Sequence, residues 1–143
     1  MIERATLGFL FRDALPPERV AAALAAALGV AVQDVAALDY EQEQAQPVLF
    51  QIVPRERGFR TDVTAFVDRR IVGGLDSLTL AERAAPRAGV DVLVSPPASR
   101  EEAHDAYAWI LVTPLGERFL VRESEPDSGS VVVDERPDAR RPI

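Results

Sequence analysis

The feature that most constrains this fold is a change in the spacing of apolar residues along the chain. From Arg4 to Arg12, the residues Ala5, Leu7, Phe9 and Phe11 alternate with Thr6, Gly8, Leu10 and Arg12, as in a strand with two different faces. Only Leu10 breaks the polar face. Pro16 and Pro17 then open a stretch in which Val20, Leu24 and Leu28, with alanines between them, share one helical face, and Gly29 offers a left-handed stop. This predicts a helix over Pro17 to Leu28, with alanines small enough to let it lie close to a sheet.

Val30 to Gln46 reads as an irregular acidic connection. Val48 to Val53 and Phe59 to Asp68 read as two strands joined through Pro54-Arg55-Glu56-Arg57-Gly58. In the second, Phe59, Thr61, Val63, Ala65 and Val67 face one way, and Arg60, Asp62, Thr64, Phe66 and Asp68 form a wet face. Gly73-Gly74 breaks the chain, and Thr79-Leu80-Ala81-Glu82 has capping-box spacing, so a second helix begins between Asp76 and Thr79. Pro86 predicts that it ends near Ala85 or kinks. Val90 to Val94 reads as a buried strand and Ser95 to Ser99 as a loop, while Ser99 to Glu102 matches a capping box again. Tyr107 to Thr113 and Arg118 to Glu123 form a hairpin around Pro114-Leu115-Gly116-Glu117. Ser130 to Glu135 is an edge strand, and Arg136 to Ile143 a flexible tail.

The resulting order is β-α-β-β-α-β plus a C-terminal hairpin. It predicts an α+β fold with a ferredoxin-like core: two helices on one face of a mostly antiparallel sheet. A chain of 143 residues, 48% of them hydrophobic, has material for one such core, so residues 1–135 are read as a single domain and 136–143 as its tail.

Composition closes several chemistries. Without cysteine there are no disulfides, thiolate metal sites or cysteine nucleophiles. All sixteen basic residues are arginine, which removes Schiff-base lysines and the Walker lysine; with abundant Ala, Val and Pro, this bias fits GC-rich bacterial coding. No apolar run approaches the roughly 20 residues that span a bilayer, and Glu3, Arg4, Arg12 and Asp13 interrupt the start. The expectation is a cytoplasmic protein with no membrane partner. A net charge of −7 argues against nucleic acid, whose affinity for proteins comes largely from basic side chains, and for a basic protein as partner.

No residue set predicts a catalytic centre, a metal site or a cofactor. His104, the only histidine, stands beside Glu101, Glu102 and Asp105, and reads as part of a solvated turn. Ser95, Ser99, His104 and Asp105 are the residue types of a catalytic triad, but members so close in sequence rarely converge. Two surfaces are more informative. Asp34, Asp39, Glu41 and Glu43 form an acidic stretch around Tyr40, an aromatic of the kind that anchors interfaces, and these five are the candidate partner-binding residues. Arg55, Arg57 and Arg60, with Arg69-Arg70 beyond, offer planar donors to an anion or to a partner's carboxylates. Tyr107, Trp109 and Leu111 share a strand face.

The segment Ala81-Glu82-Arg83-Ala84-Ala85 through Gly89-Val90-Asp91-Val92-Leu93-Val94, followed by Trp109-Ile110-Leu111-Val112-Thr113-Pro114-Leu115-Gly116-Glu117, resembles small bacterial proteins described as immunity-like or uncharacterised. The resemblance covers about a third of the chain and carries no functional residue across. It implies a compact domain that occludes a basic protein. The expectation is therefore a non-catalytic acidic protein-binding domain, an immunity protein or another inhibitor. The alternative is a small-molecule binding or sensor domain that uses the sheet face or the arginine hairpin.

Overall fold

A computed structural model describes residues 2–143. Among the described residues one eight-stranded sheet carries every strand: β1 (Arg4–Phe11), β2 (Val35–Ala37), β3 (Val48–Pro54), β4 (Thr61–Asp68), β5 (Val92–Val94), β6 (Ala108–Val112), β7 (Arg118–Arg122) and β8 (Arg141–Pro142). The spatial order is β2-β3-β4-β1-β5-β6-β7-β8, antiparallel throughout except for the parallel pair β2 and β3. The helices are α1 (Pro17–Leu28), the single turn α2 (Arg69–Val72) and α3 (Ser77–Ala88). Among these helices none is long and apolar enough to cross a membrane.

The chain is α+β, but the ferredoxin-like sheet expected from the sequence is corrected. Eight strands form a mixed sheet with three helices, where a mostly antiparallel sheet with two helices and an added hairpin was expected. The parallel edge comes from Val35–Ala37, inside the stretch read as an irregular connection, where Val35, Ala36 and Ala37 pair with Val48, Leu49 and Phe50. The opposite edge comes from the supposed tail. Arg141 and Pro142 pair with Leu120 and Phe119, and Arg140 lies 4.3 Å above the Phe119 ring.

Capping chemistry sets the helix limits. Gly29 closes α1 at φ 69°, a conformation glycine adopts without a Cβ penalty. Asp76 caps α3: its carboxylate accepts from the Thr79 backbone N–H and hydroxyl, both at 2.8 Å, so Thr79 is a donor here and the cap lies three residues earlier. The helix continues past Pro86 to Ala88. Proline so near the end removes only its own amide bond, and Pro86 is exposed on the outer side. Ser99 to Glu102 starts only a 3₁₀ turn, Glu101–His104, with no side-chain cap.

The two long helices cover one face of the sheet. Leu7, Phe9, Phe11, Val63, Val67 and Ile110 pack there against Val20, Leu24, Leu80 and Ala84. Phe9 and Phe11 meet edge to face with centroids 5.1 Å apart. The outer face is covered differently. Leu10, Phe59, Leu93, Leu111 and Val121 form a second cluster, which Val133 completes from a strap without regular structure that follows β7. The strap is held by the Phe59 N–H donating to the Val131 carbonyl at 2.9 Å, and by Asp134 N–H donating to the Arg122 carbonyl at 2.9 Å. Arg12 stacks 4.7 Å above the Phe59 ring and joins Asp91, just before β5, to Glu135 of the strap.

Gly58 is the residue this arrangement needs. Its φ is +69°, and a Cβ there would lie 2.1 Å from the Val131 carbonyl oxygen. Gly116 is equally left-handed, at φ +87°, but has open space around it. Gly116→Ala should therefore cost about 1 kcal/mol of backbone strain, and Gly58→Ala about 2 kcal/mol or more, because the strap must also move. Urea midpoints compare the two. Hydrogen exchange should show the Phe59 amide losing protection only in Gly58→Ala, and equal costs with Phe59 still protected would refute the strap contact.

Candidate functional site

The acidic stretch becomes an ordered loop between β2 and β3. Gln44 staples it: its side-chain oxygen accepts from Asp39 N–H at 2.9 Å and its amide donates to the Ala37 carbonyl at 2.8 Å. Arg4 holds the far end, donating to the carbonyls of Gln46 at 2.9 Å and Gln44 at 3.2 Å. Asp39 accepts from Glu41 N–H at 3.0 Å, the side-chain turn that aspartate favours. These bonds fix the loop without using Tyr40 as filler, and Tyr40 stands 86% exposed with its hydroxyl 3.3 Å from the Gln51 side-chain oxygen.

Beneath Tyr40 lies a shallow, mainly apolar hollow of about 280 Å³ lined by Arg4, Leu38, Tyr40, Leu49 and Phe66. Leu49 and Phe66 are cross-strand partners on the outer face of β3 and β4. A second hollow, sharing Arg4, is lined by Ile2, Glu43, Gln44 and Ala45. Asp39, Tyr40, Glu41 and Glu43 thus sit on one loop, Glu41 and Glu43 exposed and Asp39 half-buried, while Asp34 belongs to the separate 3₁₀ turn before β2.

The arginines at the first hairpin are engaged within the chain. Arg55 pairs with Asp62 at 2.9 Å and donates to the Gly129 carbonyl at 2.9 Å, and Arg57 pairs with Glu125. Both contacts reach the strap. The Arg55 Nε is buried and has no hydrogen-bond partner among the described residues. Arg60 is exposed, 3.4 Å from the Arg55 carbonyl, and makes no ion pair among the described residues. Arg69 faces Glu3 at 3.8 Å and Arg70 pairs with Asp68 at 2.7 Å.

Around the histidine, Asp105 and Glu102 have partners of their own. Asp105 accepts from Tyr107 N–H, the main cause of its lowered pKa, and pairs with Arg122. Glu102 is paired with Arg100 and Arg141. His104 is exposed at the end of its turn. Among the described residues no group of three or more His, Asp or Glu side chains could hold a metal ion. Tyr107 is half-exposed, and Trp109 is half-buried on the outer face, its indole N–H donating to Glu123 at 3.2 Å.

Sequence reasoning did not identify a groove on the same face. β5 pairs with β1 only at Leu10 and Phe11, and the chain then turns away through Ser95-Pro96-Pro97. Gly8, left without a strand neighbour on that side, donates its N–H to Ser77 Oγ at 3.1 Å. Two open hollows meet here and share Ser77 and Ser95: one of about 530 Å³ beside Leu75 and Pro96, and one of about 410 Å³ over Gly8. The sequence signal was Gly8 itself, a glycine inside a strand pattern.

Comparison with protein-family models, curated proteins and solved structures finds no match to this chain.

Asp68 carries the clearest electrostatic consequence. The Arg70 side chain, then the Arg70 N–H, hold its carboxyl down from 3.8 to about 2. A folded-state pKa below the unfolded one stabilises the fold above the unfolded value, and this is lost as pH falls through the folded one. Wild-type stability should therefore exceed that of Asp68→Asn above about pH 4, with the gap closing towards about pH 2. Denaturation midpoints across this range would show it; a constant gap would refute the pairing.

Proposed function

We propose that this chain is a non-catalytic acidic protein-binding domain that takes a basic protein partner, in the manner of an immunity protein or another inhibitor, with Tyr40 as its anchor. The observation that carries this reading is an aromatic side chain held out in solvent, 86% exposed, over an apolar hollow by a loop whose own bonds do not need it. Aromatic anchors beside apolar pockets supply most of the energy at protein interfaces. Asp39, Glu41 and Glu43 add a negative rim in a chain of net charge −7, which would draw a basic surface towards the hollow.

The two contributions separate kinetically. With the partner purified, association should be fast at low salt and slow at high salt, because exposed charges are screened beyond about 8 Å at physiological ionic strength. Charge reversal at Glu41 and Glu43 should slow association. Tyr40→Ala should instead raise the dissociation rate by roughly 30-fold, the equivalent of about 2 kcal/mol. Urea denaturation of each variant keeps lost folding apart from lost binding. If Asp34, Asp39, Glu41, Glu43 and Tyr40 can be replaced together without changing either rate, the loop is a solvated surface and the reading fails.

A further inference from the structure

We propose that the groove over Gly8 is a binding site for a neutral carbohydrate ring, a role separate from the partner surface around Tyr40. The argument starts from the glycine. Gly8 lies in the middle of β1, paired with Thr64 of β4 on one side and without a strand neighbour on the β5 side, and glycine inside a strand is about 0.5–1 kcal/mol less favourable than alanine. Two ordinary reasons for a glycine do not apply. Its φ is not positive, unlike those of Gly29, Gly58, Gly73, Gly89, Gly116 and Gly129, and a Cβ would meet only the Val63 carbonyl oxygen at 3.5 Å, a normal contact. A larger residue would fit the strand, and the space it would occupy is the groove.

The strand order builds the walls. Gly8 is the cross-strand partner of Thr64, so β4 supplies one side, together with Arg55 and Asp62. On the other side are Trp109 of β6 and Val131 of the strap, and Ser77 and Ser95 stand at the end. The volume, about 410 Å³, has room for a sugar ring.

The lining determines the class of ligand. Its two charges cancel, since Arg55 and Asp62 pair at 2.9 Å, and an ionic ligand would find no free countercharge. Thr64 and Ser95 hydroxyls have no hydrogen-bond partner among the described residues, and Ser77 Oγ accepts from Gly8 and keeps its own hydrogen to donate. Hydroxyl groups both give and accept, which suits a ligand that is itself rich in hydroxyls. Trp109 has its N–H bonded to Glu123, so its ring serves with Leu10 and Val131 as the apolar wall for the C–H face of a sugar.

Trp109 is the only tryptophan, so its fluorescence reports on this wall alone. The full chain would be titrated with glucose, galactose, mannose and N-acetylglucosamine, with glucuronate as a charged counterpart and benzyl alcohol as an aromatic one. At least one neutral sugar should give a saturable change with Kd on the order of 1 mM or tighter, with NMR shifts at the Gly8 and Ser95 amides. Gly8→Val should weaken it by about tenfold or more, as expected when a side chain fills a binding pocket. Leu115→Ala, at an exposed turn, should leave it unchanged. If Gly8→Val does not fold, Gly8→Ala and Ser95→Ala decide: both should weaken binding, and Gly8→Ala should also raise the urea midpoint. The proposal is overturned if no neutral sugar saturates the signal, if only glucuronate or benzyl alcohol does, or if the folded Gly8 variants bind undiminished.

Discussion

Phe59 donates its amide hydrogen to the Val131 carbonyl at a point where Gly58 has no side chain to hold the two segments apart. Much of the outer face depends on that approach. With the two long helices packed on the other face, Leu10, Leu93, Leu111 and Val121 would meet water unless the chain supplied a cover, and exposed apolar patches of this kind favour association. The strap is that cover. Its carbonyls answer Phe59 and Arg55, its Val133 enters the cluster, and its Glu135 meets Arg12, which is itself stacked on Phe59. Backbone pairing, apolar burial and charge therefore converge on one crossing.

Charge follows the same division. Arg12, Arg55 and Arg57 are paired around the strap, Arg100, Arg122, Arg136 and Arg141 pair with carboxylates of the C-terminal segment, and Arg118 pairs with Glu82 of α3. Exposed pairs of this type contribute about 0–1 kcal/mol each, so they orient segments more than they stabilise them. Among the described residues no arginine pairs with Asp39, Glu41 or Glu43, and the one arginine at that loop, Arg4, is bonded to main-chain carbonyls. The loop keeps a net negative charge where Tyr40 stands, with Asp39, Glu41 and Glu43 against the single Arg4 cation.

Local signals were legible in the sequence and distant ones were not. α1 could be bounded because its period, its opening prolines and Gly29 all lie within the helix and its caps. The end of α3 was misjudged because Pro86 was weighed as an interior proline when it lies in the last turn. β2 and β8, with three and two residues, are too short to show a period, and each exists only because a neighbouring strand edge was free, which is why a ferredoxin-like sheet was expected and a larger mixed sheet is observed. The arginine hairpin was visible, but two of its partners lie 68 and 74 residues away. Phe66 was assigned to a wet face. Its neighbour Leu49 and the loop bearing Tyr40 turn that position into the floor of a hollow.

The strap does not cover the whole outer face, and what it leaves bare has a lining of its own. Its apolar contacts cover β5 to β7 and the Leu10 end of β1, and stop at Phe59, just before β4, and Val131. Beyond them the outward residues of β1, β3 and β4 include Thr6, Gly8, Gln51 and Thr64, which can face water at little cost because they are polar or have no side chain. Leu49, Phe66 and the exposed Val53 are the apolar exceptions, and Tyr40 and Leu38 stand beside the first two. The open half-face thus has an apolar hollow under an acidic loop and, near the strap, a groove lined by hydroxyls over a bare strand. A large partner surface suits the first because Tyr40 projects from it. Only a small ligand suits the second, because the strap at Val131 and the Arg55–Asp62 pair bound it on both sides.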